Sequence, residues 1–328
     1  MKRTTIFALI GATLITLGSQ GAMAFEQSRS VTCIAPSGPG GGWDFTCRSV
    51  GRLMAELGLV RGSMQTTNMT GAGGGVAFAH VISKRAEDNA LIVAASTATT
   101  TRLAQGQFAG MDHDMVQWVG ALGADYGVIA VAKDSPYQNL NELMAALQQD
   151  PSAVKFAGGS AAGGWDHLKV LMAAKEAEVE GLSRITYLAF AGGAEAITQV
   201  VGGHIGAFTG DISEAMGFIE SGDLRVLAVL SEERLPAPLD RFPTAREQNI
   251  DTVSPNWRGF YVPAGVSEEA YQWWNGSLDK IYASDEWKTI MEQNGLVPFH
   301  KSGPAFTDYV RDQVAEIQAI SKEVGLIK

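Results

Sequence analysis

One seven-residue run constrains this chain more than any other: residues 90–96, ALIVAAS. It is apolar without interruption and has the length of a strand rather than a helix. Strands buried on both faces read this way, and they belong to parallel sheets covered by helices. Around it strand-like and helix-like segments alternate. Residues 31–36 and 63–68 read as strands, and 44–57 and 74–85 as helices, the latter with Val76, His80 and Val81 along one face. Two further strands, 116–122 and 126–132, flank Gly123, Ala124 and Asp125. The pattern continues with a helix at 139–149, a strand at 154–157, a helix from Trp165, a strand at 184–189, a helix at 193–201, a strand at 205–209, a helix at 213–221 and a strand at 224–230. Pro236 and Pro238 interrupt it, and the rest reads as mostly helical, at 268–283, 285–294 and 304–324. This order predicts an α/β architecture. Composition offers no low-complexity tether, so a domain boundary has to be a crossing strand.

The first 24 residues carry a different message. Lys2 and Arg3 precede a short apolar stretch from Ile6 to Leu17, and Ala22-Met23-Ala24 forms a small-x-small pattern. That predicts a secretory leader cleaved after Ala24, too short to span a membrane. No cysteine stands at the cleavage point after the apolar stretch, which argues against a lipid anchor there. The expectation is a soluble exported protein of two domains. The formal net charge is −10. An acidic chain lacks the basic patches that nucleic acid or anionic lipid require, and an anion bound by it needs a local device. The two cysteines, Cys33 and Cys47, suggest a disulfide in an exported protein; two buried free thiols are the alternative. His80, His113, His167, His204 and His300 are scattered, so no metal site or other cofactor is expected.

Two glycine loops supply such a device. Ser37-Gly38-Pro39-Gly40-Gly41-Gly42-Trp43-Asp44 joins the first strand to the first helix, and a second loop runs from Gly158 to Asp166. Both end in Gly-Gly-Trp-Asp. A glycine-rich turn at a helix start presents bare N–H groups and the positive end of the helix dipole, and both favour an anion. Neither loop contains lysine, so neither is a phosphate loop of the GxxxxGK[ST] type. The plain alternative for each is a helix cap, with Asp44 or Asp166 as the capping carboxylate. Trp43 and Trp165 read equally as lids over a ligand or as core anchors.

Several segments together resemble a known family, the periplasmic solute-binding component of tripartite tricarboxylate transporters. CIAPSGPGGGWDFTC resembles the first ligand loop of its citrate-binding branch, both cysteines included. NMTGAGGGVA at 68–77 resembles the family's Asn-x-x-Gly-Ala-Gly-Gly motif, and GGSAAGGWDHL stands where the family has its second ligand loop. AFAGGAEAITQVVGGHI, GDLRVLAVLSEERLPAPLDRFPTAREQ and WRGFYVPAG are also similar, so the resemblance covers essentially the whole chain after the leader. It implies the two-domain periplasmic binding protein fold, type II-like, with residues 25–125 and 231–328 in one domain, 126–230 in the other and the ligand in the cleft between. It implies further that Ser37, Gly40, Gly41, Gly42, Trp43 and Asp44 of the first loop bind a carboxylate. Ser160, Ala161, Gly163, Gly164 and Trp165 of the second loop join them, with Ser96 and Thr97 nearby and Asp211 lining the cleft. The second loop departs from the family's common Gly-Ser-x-Gly-x-Gly-Ser.

The expected function is therefore non-enzymatic reception of a citrate-like tricarboxylate in the periplasm, by a monomer, for the large and small membrane subunits of a transporter. A dicarboxylate or aromatic-acid receptor, or a partner of a membrane sensor kinase, are the alternatives. A secreted hydrolase or lyase has thin support, since no GxSxG elbow appears. Arg48, Arg102, His167 and Arg258 are candidates for further carboxylates of the ligand, each with a surface or structural role as its alternative.

Overall fold

The computed structural model describes residues 30–328; the expected leader and its cleavage point lie outside them. The first half alternates largely as the sequence predicts, with α3 added: β1 (Ser30–Ala35), α1 (Gly42–Glu56), β2 (Ser63–Asn68), α2 (Gly75–Lys84), β3 (Leu91–Ser96), α3 (Thr97–Ala104) and β4 (Val116–Ala132). The middle follows with α4 (Leu140–Gln149), β5 (Lys155–Gly158), α5 (Trp165–Glu176), β6 (Thr186–Ala189), α6 (Gly193–Val201), β7 (Ala207–Asp211), α7 (Ile212–Glu220) and β8 (Leu224–Val229). The chain ends with β9 (Pro255–Pro263), α8 (Glu268–Ala283), α9 (Asp285–Gln293), β10 (Lys301–Ser302) and α10 (Gly303–Glu323).

The strands pair in the order β2-β1-β3-β9-β4-β7-β5-β6, with β8 and β10 also on β4. The apolar run of the opening argument is β3, buried at every position. It pairs parallel with β1 and antiparallel with β9, so the sheet is mixed. Its full burial comes from helices on both sides: α1 and α8 contribute to one core with Ile92 and Ala94, and α2 and α10 to another with Leu91, Val93 and Ala95.

Four differences from the sequence reading matter. First, 116–132 is one strand. Gly123, Ala124 and Asp125 stay extended because they pair with Arg258, Trp257 and Asn256 of β9. Beyond Tyr126 the same strand pairs with β7 and β8, so β4 joins two sheet sectors. Second, β9 lies at the centre of the first sector, inside a region expected to be helical. Third, α2 buries Ala77, Phe78 and Val81, while Val76 is 47% exposed; the helix orients on Phe78, whose ring meets Phe108 and Tyr261, each at 5.3 Å. Fourth, residues 231–254, assigned to the first domain by the sequence reading, pack on the second sector. Leu235 and Leu239 share a core with Phe208 and Ile212, and Ala245 and Ile250 share one with Phe156 and Leu168. Their apolar side chains find cover there before Ser254 bonds Leu230 and Gly127 and the chain returns as β9. The end of α10 reaches the same core through Ile317 and Val324.

Candidate functional site

Each glycine loop is fastened by its own aspartate. In the first, Asp44 Oδ2 accepts the Gly40 N–H at 2.9 Å and Arg48 Nε at 2.9 Å, and Oδ1 accepts Asn68 Nδ2 at 2.8 Å. Burial works against the Asp44 charge, but Arg48, Gly40 and Asn68 outweigh it and hold its carboxyl below the ordinary value. In the second, Asp166 Oδ2 accepts the Ser160 N–H at 2.9 Å and Oδ1 accepts Lys169 Nζ at 3.0 Å. The residue before each helix cap, Gly40 or Gly163, has positive φ (+80° and +76°), which a side chain rarely tolerates. Cys33 and Cys47 form a disulfide beneath the first loop, with Cα atoms 5.8 Å apart.

The loops face one another across a cavity of about 280 Å³, near the lower end of the range of about 300–1,000 Å³ for small-molecule sites. Ten of the sequence-predicted residues line it: Ser37, Gly41, Gly42, Trp43, Ser96, Ser160, Ala161, Gly164, Trp165 and Asp211. Four stand behind the wall. Gly40 and Asp44 are bonded to each other, Thr97 Oγ1 donates to the Pro255 carbonyl, and Gly163 donates to His167 Nδ1. Arg102 and Arg258 also line the cavity. Arg48 is spent on Asp44, and His167 stacks on Tyr187 with ring centroids 4.9 Å apart.

Five helices begin at this cavity, each at the carboxyl end of a strand. Their cap residues are Gly41 (α1), Ser96 (α3), Gly164 (α5), Gly192 (α6) and Asp211 (α7), and all five line it. Strand ends of an open α/β sheet are where ligands gather. The glycine caps of α1, α5 and α6 supply no side-chain acceptor, so first-turn N–H groups stay open to a ligand anion, apart from those of Asp166 and Gly193, which meet Ser160 Oγ and Glu214. The positive ends of these dipoles supply the local attraction that an acidic chain lacks overall.

The floor is a buried charge cluster, of which sequence reading named Arg258 and Asp211 for the cleft and Asp166 only as a helix cap. Arg258 Nη2 donates to Asp125 Oδ2 at 2.6 Å and Asp211 Oδ2 at 2.9 Å. Lys169 Nζ, fully buried, donates to Asp211 Oδ1 at 2.5 Å as well as to Asp166. Asn256 Nδ2 donates to Asp211 Oδ2 at 2.5 Å. Burial pushes the Asp125 carboxyl up to about 6 against the pull of Arg258. Burial also opposes the charge on Lys169, yet Asp211 and Asp166 hold its ammonium above the ordinary value. The spacing Asp166 to Lys169, three residues on a helix, was the one signal in the sequence for this cluster. Glu214, Pro36, Thr70, Gly71, Gly73, Ala98, Gly159 and Phe190 to Gly192 complete the missed part of the wall.

Two further observations mark this as a site. Among the described residues, five of the eight buried side-chain polar atoms without a partner belong to its lining: Ser37 Oγ, Arg102 Nε, Trp165 Nε1, Asn256 Oδ1 and Arg258 Nε. Buried polar atoms are ordinarily paired, so such a concentration points to a polar ligand. The two sectors also touch across the cavity. Arg102 Nη1 donates to the Ala162 carbonyl at 3.2 Å and Gln105 Nε2 to the Gly163 carbonyl at 2.7 Å.

Fold and site together define a two-sector α/β binding protein with its ligand cavity between the sectors. The chain belongs to the family described as the tripartite tricarboxylate transporter family receptor, whose model matches residues 59–326. It is a family of receptors rather than enzymes. Protein BugT of Bordetella pertussis is 22% identical over 332 aligned residues, covering 99% of both chains. A TctC solute-binding protein from Polaromonas is 25% identical with a TM-score of 0.65, covering 90% of this chain and 99% of that one. The periplasmic binding protein BugD (21% identical, TM-score 0.81, 92% and 99% covered) shares the periplasmic binding protein fold. So does MatC from Rhodopseudomonas palustris, solved with malate (21% identical, TM-score 0.79, 89% and 98% covered). Another R. palustris protein, solved with adipate, is 22% identical with a TM-score of 0.82, covering 91% and 98%.

Proposed function

We propose that this protein is a periplasmic receptor for a small organic polycarboxylate, with citrate-like tricarboxylates as the first candidates. It exchanges its ligand with the large and small membrane subunits of a tripartite transporter. The carrying observation is the convergence of helix N-termini from both sectors, three of them capped by glycine, on one cavity whose floor holds Arg258. Residues 30–125 with 255–328 act as one lobe and 126–254 as the other. The ligand's first carboxylate sits between Gly41, Gly42 and Ser160, Ala161, Gly164, with Ser37, Ser96, Trp43 and Trp165 around it. Closure of the lobes on the ligand forms the surface that the membrane subunits recognise.

A dicarboxylate ligand is the second reading. The malate and adipate bound by two proteins of the same fold favour it, as does a cavity of only about 280 Å³. A thermal-shift screen of di- and tricarboxylates, sugars and amino acids on the leaderless protein tests both. A ligand at a hundredfold its Kd adds ~2.7 kcal/mol of stability. A strong response to a sugar with none to any organic acid ends the carboxylate reading.

A further inference from the structure

Four carboxylates surround the floor of the cavity, and three of them are spent. Asp125 holds Arg258 and Ser213, Asp166 holds Ser160 and Lys169, and Asp211 holds Lys169, Arg258 and Asn256. Glu214 differs. It lines the cavity from the first turn of α7, and among the described residues its only bond is one long contact, Oε1 accepting the Gly193 N–H at 3.4 Å. It has no ion-pair partner among the described residues. A Cβ at Gly193 would come within 2.6 Å of the Glu214 carboxyl, so this carboxyl lies directly against the start of α6, one of the three glycine-capped helices. It therefore stands where a ligand carboxylate would seek the same helix end.

We propose that Glu214 is a ligand-binding residue that enters the complex as a neutral acid, its O–H donating a hydrogen bond to a carboxylate of the bound polycarboxylate. The proposal rests on the carboxylate reading above. Two carboxylates brought together in a shielded site cannot both stay ionised, and one retains a proton. The ligand arrives as an anion from solution, so that proton comes from solvent and resides on Glu214, while the ligand remains ionised. The alternative recipients are poorer. The oxygens of Asp166 and Asp211 are engaged by Lys169, Arg258 and backbone or amide donors, and Asp125 does not line the cavity. The charged groups that act most on Glu214 are Asp211 and Asp166, then Arg258 in the opposite sense and Asp125. Tyr187 on β6 feels its charge in turn. Burial first, then Asp211 and Asp166, push the Glu214 carboxyl up to about 7 before any ligand enters, so the proton is within reach near neutral pH.

Titration calorimetry on the leaderless protein tests this with citrate, malate and adipate as probes. It is run at about pH 8 in two buffers of different ionisation enthalpy, where all three acids are fully ionised. The expected result is uptake of about one proton per ligand bound, with affinity weakening about tenfold per pH unit above neutrality. Glu214→Gln, which keeps the shape and fixes the group as neutral, binds the same probe without proton uptake and with a flat pH profile. A merely structural glutamate would not move the proton count. Binding by the wild-type protein with no proton uptake overturns this proposal alone, and so does uptake that persists in Glu214→Gln. The wild-type measurement decides even if the variant fails to fold. Binding of none of the acids overturns the carboxylate reading and this proposal with it.

Discussion

Replacing Gly42 by alanine should destabilise this protein, although the same change at Gly276, in another helix, should stabilise it. Gly42 is the first residue of α1, and its φ is not in the left-handed region. By backbone preference alone, alanine there would be favoured by roughly 0.5–1 kcal/mol. A Cβ at this position, however, would lie 2.8 Å from Arg258 Cζ, well inside contact distance, and would meet the guanidinium nitrogens as well. The guanidinium cannot swing aside cheaply, since Asp125 at 2.6 Å and Asp211 at 2.9 Å hold it and it is 3% exposed. Forcing extra volume into such a packed site costs about 1–3 kcal/mol. The collision wins, and Gly42→Ala loses about 1–2 kcal/mol net, with a loss of affinity for the ligand of the thermal-shift screen. Gly276 within α8 is the control: a Cβ there meets nothing within 4 Å, so Gly276→Ala should gain up to about 1 kcal/mol. Urea unfolding of the three proteins side by side measures both signs. If Gly42→Ala is stabilised to the same degree as Gly276→Ala, the guanidinium does not lie over the first loop, and the site as described is wrong.

Arg258→Met should cost about 3–5 kcal/mol near neutral pH by leaving Asp125 and Asp211 under-compensated. The loss should shrink toward pH 5, because Asp125, already held at about 6, then carries a proton in the native state; a loss independent of pH, followed by urea titrations, would contradict this. Cys33→Ala with Cys47→Ala should cost ~3 kcal/mol through loop closure in the unfolded chain and weaken ligand binding. Two free thiols found by mass spectrometry of unreduced protein would remove the premise. Burial lowers the His167 imidazole to about 4, so between about pH 6.5 and 4 only the unfolded state gains its proton. Stability should fall as pH falls through that window, by up to roughly 3 kcal/mol. The difference between wild type and His167→Gln in acid titrations isolates this contribution, and no difference would show the ring is not shielded.

What could be read from the sequence divides along a physical line. Strands and helices with local signals were legible: 63–68, 193–201 and 268–283 coincide with the structure, because periodicity and caps are properties of neighbouring residues. β9 was not, since PNWRGFYVP carries two prolines, an asparagine, an arginine and a glycine, and reads as no strand. Asn256 and Arg258 tolerate the sheet centre only because Asp125 and Asp211 meet them there, and those partners are remote in sequence. α3, TATTTRLA, also escaped notice. Threonine is a poor helix former, but here Thr101 bonds the Thr97 carbonyl and Thr100 bonds Gln313 of α10. At the site, the loops were legible from their glycines. Their aspartates turned out to fasten the loops through the Gly40 and Ser160 N–H groups rather than to cap the helices, whose N-caps are Gly41 and Gly164 with no side-chain bond. Glu214 was invisible, and Lys169 was marked only by its three-residue spacing from Asp166, because burial, which gives them their character, is set by the whole fold.

The continuous β4 has a bearing on how such receptors diversify. A strand whose first eleven residues are laddered to β9 and whose remainder pairs with β7 and β8 belongs to both lobes at once. Neither lobe is a cassette. A recombinant that takes its second lobe from a relative is joined inside a hydrogen-bonded ladder at Tyr126 and again at Pro255, two residues that face each other across it. A one-residue offset at either junction turns the side chains of that strand over, carrying Asp125 or Arg258 away from the cavity floor. Exchange of ligand preference between relatives is therefore open to replacement of the loops at the strand ends, and closed to the shuffling of whole lobes unless both junctions keep register.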